Sequence, residues 1–288
     1  MRSPISRPGL VALLLVSTVA LAQPVGFEEA LEAREVAMGG AYRALGTTAV
    51  GVDGNPAAIG LFKAFQADAG GAYDFAQHTW YMAGYVRDSK TSPLAAGYSI
   101  HYLSQPVTTG IGTTTNITGF QQVFAFALPI ADLAAIGVST HWLTESDLNI
   151  NAASLDVGMA FKFGTVGTLG FAGHNLINTN HPLQLGRYFD LSGGLVLGPV
   201  KLALDIRSNF GPNQFHPKYA FGSEFLFGTF IFRAGLAWYT LDPVTQKQEL
   251  FLTTGVGIVV DKSGFDIGYR QSLNGVGSLM VATLRVAY

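Results

Sequence analysis

From residue 65 to the C terminus at 288, apolar residues recur at every second position. Nowhere after residue 22 do they run on for the ~18 positions that a membrane-crossing helix needs. A period of two describes a strand with one apolar face. Over residues 200–207 one face carries Val200, Leu202, Leu204 and Ile206, and the other carries Lys201, Ala203, Asp205 and Arg207. Residues 155–163, 230–239, 250–260, 265–270 and 279–288 alternate in the same way, and clusters of Gly, Pro, Asn and Asp divide the runs. About fourteen segments result, the first at 65–75 and the last at 278–288. Each is close to the ~10 residues of a tilted membrane strand.

Composition narrows the choice. Hydrophobic residues make up 49% and charged residues only 12%, with a mean hydropathy of +0.31. Soluble domains usually carry ~25% charged residues. The apolar fraction excludes a disordered chain. Seventeen basic against nineteen acidic residues give no basic field, so no nucleic-acid partner is expected. The lack of cysteine excludes disulfide frameworks, thiolate metal sites and thiol nucleophiles. Residues 1–22 read as a secretory signal: Arg2 and Arg7 precede a short apolar core, and Ala20-Leu21-Ala22 offers small residues for cleavage before Gln23. An exported apolar chain without a spanning helix points to a closed barrel, because lipid leaves no water to pair with open sheet edges.

The connections are expected to alternate in length. Long ones fall at 104–118, 176–187, 208–216 and 241–248. Short ones fall near Pro129-Ile130, at 164–166, at Gly198, at Gly228 and at Asp261-Lys262. Outer-membrane barrels have long outer loops and short periplasmic turns, and an even strand count leaves both ends in the periplasm. A secreted sandwich has no reason to keep this phase over six hairpins. The fold expected is therefore all-β: a transmembrane antiparallel barrel of about fourteen strands over 63–288, in the bacterial outer membrane. Trp80, Trp142 and Trp238 fall at the outer strand ends, and Phe163, Phe227, Phe230 and Tyr288 at the opposite ends, as two interfacial belts would require.

On this register Leu155, Val157, Leu202, Leu204, Phe232, Leu284 and Val286 face lipid. The inner face carries Asp68, Asp156, Asp190, Asp205, Glu224 and Asp266 together with Lys162, Lys201, Arg207, Arg233, Arg270 and Arg285. Ion-selective pores carry an excess of one sign at a constriction. Balanced signs instead imply pairing with each other or with a plug, since an unpaired buried charge is costly. No catalytic motif is present, and the chain is read as a non-enzyme without cofactor or metal. The six histidines, His78, His101, His141, His174, His181 and His216, are dispersed in sequence, with His174 and His181 the closest pair.

Residues 23–62 do not alternate. Residues 27–35 form a short acidic helix candidate that ends at Met38-Gly39-Gly40-Ala41. Asp53-Gly54-Asn55-Pro56-Ala57-Ala58 follows, with turn residues leading towards the first strand. This stretch is either a leader on the surface or a plug folded back into the lumen. Ala33-Arg34, Ala37-Met38-Gly39-Gly40-Ala41 and Asn55-Pro56-Ala57 together resemble the N-terminal stretch of the FadL-like and PorV/PorQ-like outer-membrane proteins. The resemblance implies a 14-stranded barrel whose hatch is built by Arg34, Met38, Gly39, Gly40, Ala41, Asp53, Asn55, Pro56 and Ala57. The FadL-like branch implies a hatch-gated channel for a hydrophobic small-molecule ligand. The PorV-like branch implies a protein-export accessory with a secretion-system or cargo partner. A structural barrel that meets only outer-membrane lipids is the third reading. This chain departs from the pattern in having smaller outer loops from which to build a capture site.

Overall fold

A computed structural model describes residues 31–45, 48–108, 114–145, 150–178, 187–211, 214–242, 247–275 and 277–288. The signal reading (1–22), the start of the non-alternating segment (23–30) and His181 lie outside the described residues. Among the described residues fourteen strands follow one another. The first seven are β1 (Phe65–Asp74), β2 (Thr79–Asp88), β3 (Ala95–Thr108), β4 (Thr114–Ile130), β5 (Ala134–Glu145), β6 (Ile150–Phe163) and β7 (Gly167–Asn178). The others are β8 (Tyr188–Leu197), β9 (Val200–Gly211), β10 (Gln214–Phe227), β11 (Phe230–Asp242), β12 (Lys247–Val260), β13 (Ser263–Ser272) and β14 (Ser278–Ala287). Each pairs antiparallel with its sequence neighbours, and β1 pairs with β14 from Gln66↔Ala287 to Asp74↔Leu279, so the sheet closes. Closure leaves no sheet edge with unpaired backbone groups.

The wall is apolar outside and polar or small inside. On β5, Ile136, Val138 and Trp142 are exposed, while Ala135, Ser139, His141 and Leu143 between them are buried. Leu204, Val157, Phe232, Leu284 and Val286 all lie on the outer face, whereas Asp205, Arg233, Arg270 and Arg285 are buried or nearly so. A contiguous apolar exterior of this extent is incompatible with water and suits lipid. The three tryptophans stand exposed on one rim, where Trp80 packs 4.6 Å from Tyr73 and Trp238 stacks 5.5 Å from Tyr219. Phe163, Phe227, Phe230 and Tyr288 are exposed on the other.

The facing has a direct test. Arg on the lipid face near the midplane costs about 2–4 kcal/mol in outer-membrane barrels. Leu204→Arg is expected to lower the yield of heat-modifiable, assembled barrel in electrophoresis. Ala203→Arg is expected to leave that yield near wild type, because Ala203 faces the lumen, where it belongs to a cluster with Met38, Ala41 and Leu45 of the inner segment and Ala220. Equal losses at the two sites would contradict the register.

The long connections differ from expectation. The β3–β4 ladder continues to Thr108↔Thr114, β9–β10 to Gly211↔Gln214, and β11–β12 to Asp242↔Lys247. Most of 104–118 and 208–216 and both ends of 241–248 are therefore strand projecting past the apolar belt. Above the lipid neither face needs to be apolar, so Gln105, Thr108, Thr114, Thr115 and Asn116 lose the alternation that marks a strand in sequence. The backbone ladder needs no such pattern and continues.

A second irregularity concerns β6 and β7. Leu155 pairs with Ile177 but Val157 pairs with Gly173, so three residues, His174 to Leu176, oppose Asp156 alone. Asn175 takes a positive φ of 55° to make this bulge. Bulges re-aim side chains and are common beside functional sites.

The described residues of 31–62 precede β1 and include α1 (Ala33–Ala37), α2 (Gly51–Gly54) and a 3₁₀ turn (Ala58–Gly60). α1 contacts β11 to β14, α2 contacts β3 and β4, and the 3₁₀ turn contacts β3 to β6. These strands lie on opposite sides of a closed cylinder, and most residues of the segment are buried. A segment touching both sides crosses the interior.

Candidate functional site

Glycines on the inner wall make room for the segment. A Cβ at Gly222 would lie 2.5 Å from the Met38 carbonyl oxygen, and one at Gly137 would lie 2.5 Å from the Ala57 nitrogen. Gly97 is likewise filled by Val52, Gly158 by Asn55, Gly194 by Leu45, Gly235 by Met38 and Gly39, Gly255 by Ala37, and Gly268 by Ala33. The positions run from β3 to β13, so the contact surface is a belt around most of the circumference. On the segment, Gly39 and Gly40 take φ of 71° and 87° at the end of α1, a turn that other residues enter only with strain. Their amides donate to the carbonyls of Val36 and Glu35, which closes the helix end.

Ion pairs fix the segment on one side. The Arg34 guanidinium donates from Nε to Glu224 Oε2 at 2.7 Å. Arg233 Nε and Lys201 Nζ donate to the same carboxylate, each at 2.7 Å. Arg233 continues to Asp266 Oδ1 at 2.6 Å, and Arg285 Nη2 joins Asp266 Oδ2 (2.7 Å) to Glu32 Oε1 (2.9 Å). Arg285 Nε also lies 3.6 Å from Asp68, whose Oδ2 accepts from the Ala49 amide at 3.4 Å. Lys201, Glu224, Arg233, Asp266, Arg285 and Asp68 thus form one chain from β9 to β1, joined to the segment at Glu32, Arg34 and Ala49. Burial and the adjacent Glu32 carboxyl raise the Glu35 carboxyl well above its ordinary range, and its Oε1 accepts from Thr48 Oγ1 at 3.2 Å.

A second network holds the other side. Asp205 Oδ2 accepts from the Tyr42 and Arg43 amides and from Arg43 Nη1, at 3.1, 3.2 and 3.2 Å. Arg43 Nε lies 3.5 Å from Asp190 Oδ2, which His174 Nε2 also meets at 2.6 Å. His174 Nδ1 and His141 Nε2 both meet Asp156 Oδ2, at 2.8 and 2.6 Å, and Gln121 joins His141 Nδ1 at 2.8 Å. On β3, Ser99 and His101 both reach Asp53, the histidine at 2.8 Å. Asn55 Nδ2 donates to the Met159 carbonyl at 3.2 Å, while its Oδ1 accepts from the Ala57 amide at 3.0 Å. The polar head of Asn55 therefore straps the turn at Pro56 to the wall.

Of the residues expected to form the site, Arg34, Met38, Gly39, Asp53, Asn55, Pro56 and Ala57 all touch the wall, and Ala41 packs with Met38 against Ala203 and Ala220. Gly40 serves the backbone turn. Three of the inward cations lie over rings: Lys162 over Phe62 (4.9 Å), Arg207 over Tyr188 (3.6 Å) and Arg270 over Phe251 (5.0 Å). The histidines that are dispersed in sequence meet in the lumen. His141 and His174 flank one aspartate, and His101 meets the segment. Their inward parity on β3, β5 and β7 was the available signal. Among the described residues no His, Asp or Glu side chains are grouped as metal ligands.

No protein-family model and no curated protein sequence matches the chain. Solved structures do. The "CymD monoaromatic hydrocarbon channel" is 11% identical with a TM-score of 0.64, over 91% of this chain and 98% of that one. A Pseudomonas aeruginosa FadL homologue is 12% identical with a TM-score of 0.63, over 89% and 98%. The Pseudomonas putida toluene transporter TodX is 12% identical with a TM-score of 0.58, over 90% and 98%. These likenesses are of fold, and the fold is the 14-stranded barrel that the resemblance drawn from residues 33–57 implies. The chain shares the fold of these FadL-type barrels.

Proposed function

We propose that this protein is an outer-membrane channel for small hydrophobic molecules, with the barrel at 63–288 as conduit and residues 23–62 as a plug that controls passage. The signal reading of residues 1–22 supplies its export. The observation that carries the proposal is the seating of residues 31–62 across the lumen on a belt of glycines, held by ion pairs, hydrogen bonds and apolar packing on the wall. Similarity to barrels that carry monoaromatic hydrocarbons supports the choice of ligand class. The kind of attachment supports a movable plug. Buried ion pairs specify position but add little net stability, because desolvation offsets their attraction. The ion pairs can exchange their partners for water at moderate cost, and the apolar contacts of the segment set the rest of what unseating costs. A passing ligand must bind the plugged and open states differently, since equal affinity shifts neither.

Deletion of residues 27–50 behind an intact signal is expected to leave an assembled, heat-modifiable barrel with at least a tenfold larger single-channel conductance in planar bilayers. An assembled deletion variant with wild-type conductance would remove the plug reading.

A further inference from the structure

The wall on the tryptophan rim, the outer side when both chain ends face the periplasm, is not of even height. On β2 only Thr79 lies beyond Trp80, and on β1 only Asp74 lies beyond Tyr73, the partner of Trp80. Beside them β13 ends at Ser272 and β14 begins at Ser278. The next ladder is taller. Ser104 of β3 stands opposite Trp80, and β3 runs on to Thr108, still paired with β4, a rise of about 13 Å at the spacing of a strand. On the far side β11 likewise passes Trp238 to reach Asp242, paired with Lys247. β14, β1 and β2 thus form a low stretch of the outer wall.

The low stretch is apolar on its outside. Phe75 and Leu273, just past the ends of β1 and β13, are exposed, as are Trp80, Met82 and Met280. The Tyr73 ring lies 4.6 Å from Trp80 and 5.0 Å from Phe75. The taller β3–β4 ladder continues instead through Gln105, Thr114, Thr115 and Asn116. Behind the low stretch the inner face is apolar as well. Val281, Ala72, Tyr81 and Leu103 pair across β14, β1, β2 and β3 as one row, each at most 2% exposed. Leu279 stands above Val281 on β14, and the row shares a cluster with Leu31, Val36 and Val50 of the inner segment. Asp74, at the top of β1, turns to its own loop, where Oδ1 accepts from the Ala76 and Gln77 amides at 2.8 and 2.9 Å.

A wet lumen gains nothing from an inward apolar row, because apolar surface is unfavourable in water. For the same reason hydrophobic solutes collect in the membrane. The closed ladder gives them no way through the wall. At β1 and β2 the wall ends at the headgroup level that tryptophan marks, so a solute crosses it there without breaking a ladder bond.

We propose that small uncharged hydrophobic molecules enter the barrel from the outer membrane surface over the β14–β1–β2 rim, past Phe75 and Leu273, and settle first on the row Val281–Ala72–Tyr81–Leu103. The inference rests on the channel reading and adds to it the point of entry. Leu31 holds the place for which such a solute competes, so occupancy of the row favours the unseated segment.

The test compares the initial rate of radiolabelled toluene uptake by cells with and without the protein in their outer membrane. F75K and L273K together put charge on the threshold at an interfacial depth that barrels tolerate. They are expected to keep the yield of heat-modifiable barrel and to lower the protein-dependent rate about tenfold, since the solute loses the apolar surface it crosses. F120K, at a β4 residue as exposed as Phe75, is expected to leave the rate near wild type. Should the lysine pair impair assembly, F75S with L273S removes the same apolar surface and is expected to lower the rate too. Binding is read in detergent by bromobenzene quenching. Saturable quenching is expected in a W142F/W238F chain, where Trp80 reports from the threshold. Only the linear quenching of partition into the micelle is expected in a W80F/W142F chain, where Trp238 reports. A wild-type rate no higher than that of cells lacking the protein would overturn the channel reading and this entry with it. A protein-dependent rate that the paired threshold variants leave unchanged, or that F120K lowers as much, would overturn the entry alone. Linear quenching of both reporters would do the same.

Discussion

Replacing Gly235 and Gly268 together by valine is expected to unseat the plug while leaving the barrel assembled. Both glycines face inward, and Met38, Gly39 and Ala33 occupy the space where their side chains would be. The obstruction is backbone, so no rotamer change relieves it. Overpacking of this kind costs about 1–3 kcal/mol per site. Summed over two sites it exceeds the ~1.4 kcal/mol that changes an equilibrium tenfold. Valine is at home in a strand, and the wall need give only at the Thr253 hydroxyl, which lies 2.7 Å from the Cβ position of Gly235. The expected result is normal heat-modifiability with conductance raised by at least tenfold, approaching that of the deletion of 27–50. Gly193→Val is the control, because nothing lies within 4 Å of a Cβ there. Wild-type conductance in the double variant would mean that the glycine belt does not seat a conduction-blocking segment.

The second large effect is expected at Glu224. Its carboxylate receives Arg34, Lys201 and Arg233 at 2.7 Å each, and Arg34 and Arg233 are almost wholly buried. Glu224→Ala leaves these cations facing one another, and removal of one partner from a buried pair costs about 3–5 kcal/mol. Guanidinium unfolding of the protein in detergent micelles should report that loss as a lower midpoint. Arg34→Ala in the same background should cost less than Arg34→Ala alone, because its partner has already gone. The difference is the coupling energy, expected at about 1–3 kcal/mol for residues that share a network. Additive losses would mean that the segment is not anchored at Glu224.

Much of the wall is legible in the amino-acid order. Lipid outside and water or a plug inside impose opposite chemistry on adjacent residues, so Leu202, Leu204 and Ile206 separate from Lys201, Asp205 and Arg207 by position alone. The rule fails where its cause ends. Above the lipid the alternation disappears from 104–118 although the ladder continues to Thr108↔Thr114. It fails too at the bulge opposite Asp156, where two additional residues bring His174 and Asn175 to one carboxylate. No turn residue marks that bulge more strongly than an ordinary Asn would.

The inner face divides in the same way. Balanced signs on the inward positions already implied pairing, because local parity decides which charges are buried and burial makes an unpaired charge costly. Which charge meets which was decided by the tertiary structure. Arg34 and Glu224 are 190 residues apart, and Glu32 and Arg285 are 253 apart. Their meeting depends on closure of β1 onto β14 and on the path of the segment across the lumen. The glycines have the same ambiguity: in sequence nothing sets inward Gly222, Gly235 and Gly268 apart from the other glycines of the strands. The packing of Met38, Gly39 and Ala33 against them gives the absence of a side chain a purpose. Strand membership, facing and strand number follow from a periodicity that each residue shares with its near neighbours. The charge networks, the histidine cluster and the glycine belt depend on register across a closed sheet, to which no single stretch of chain has access.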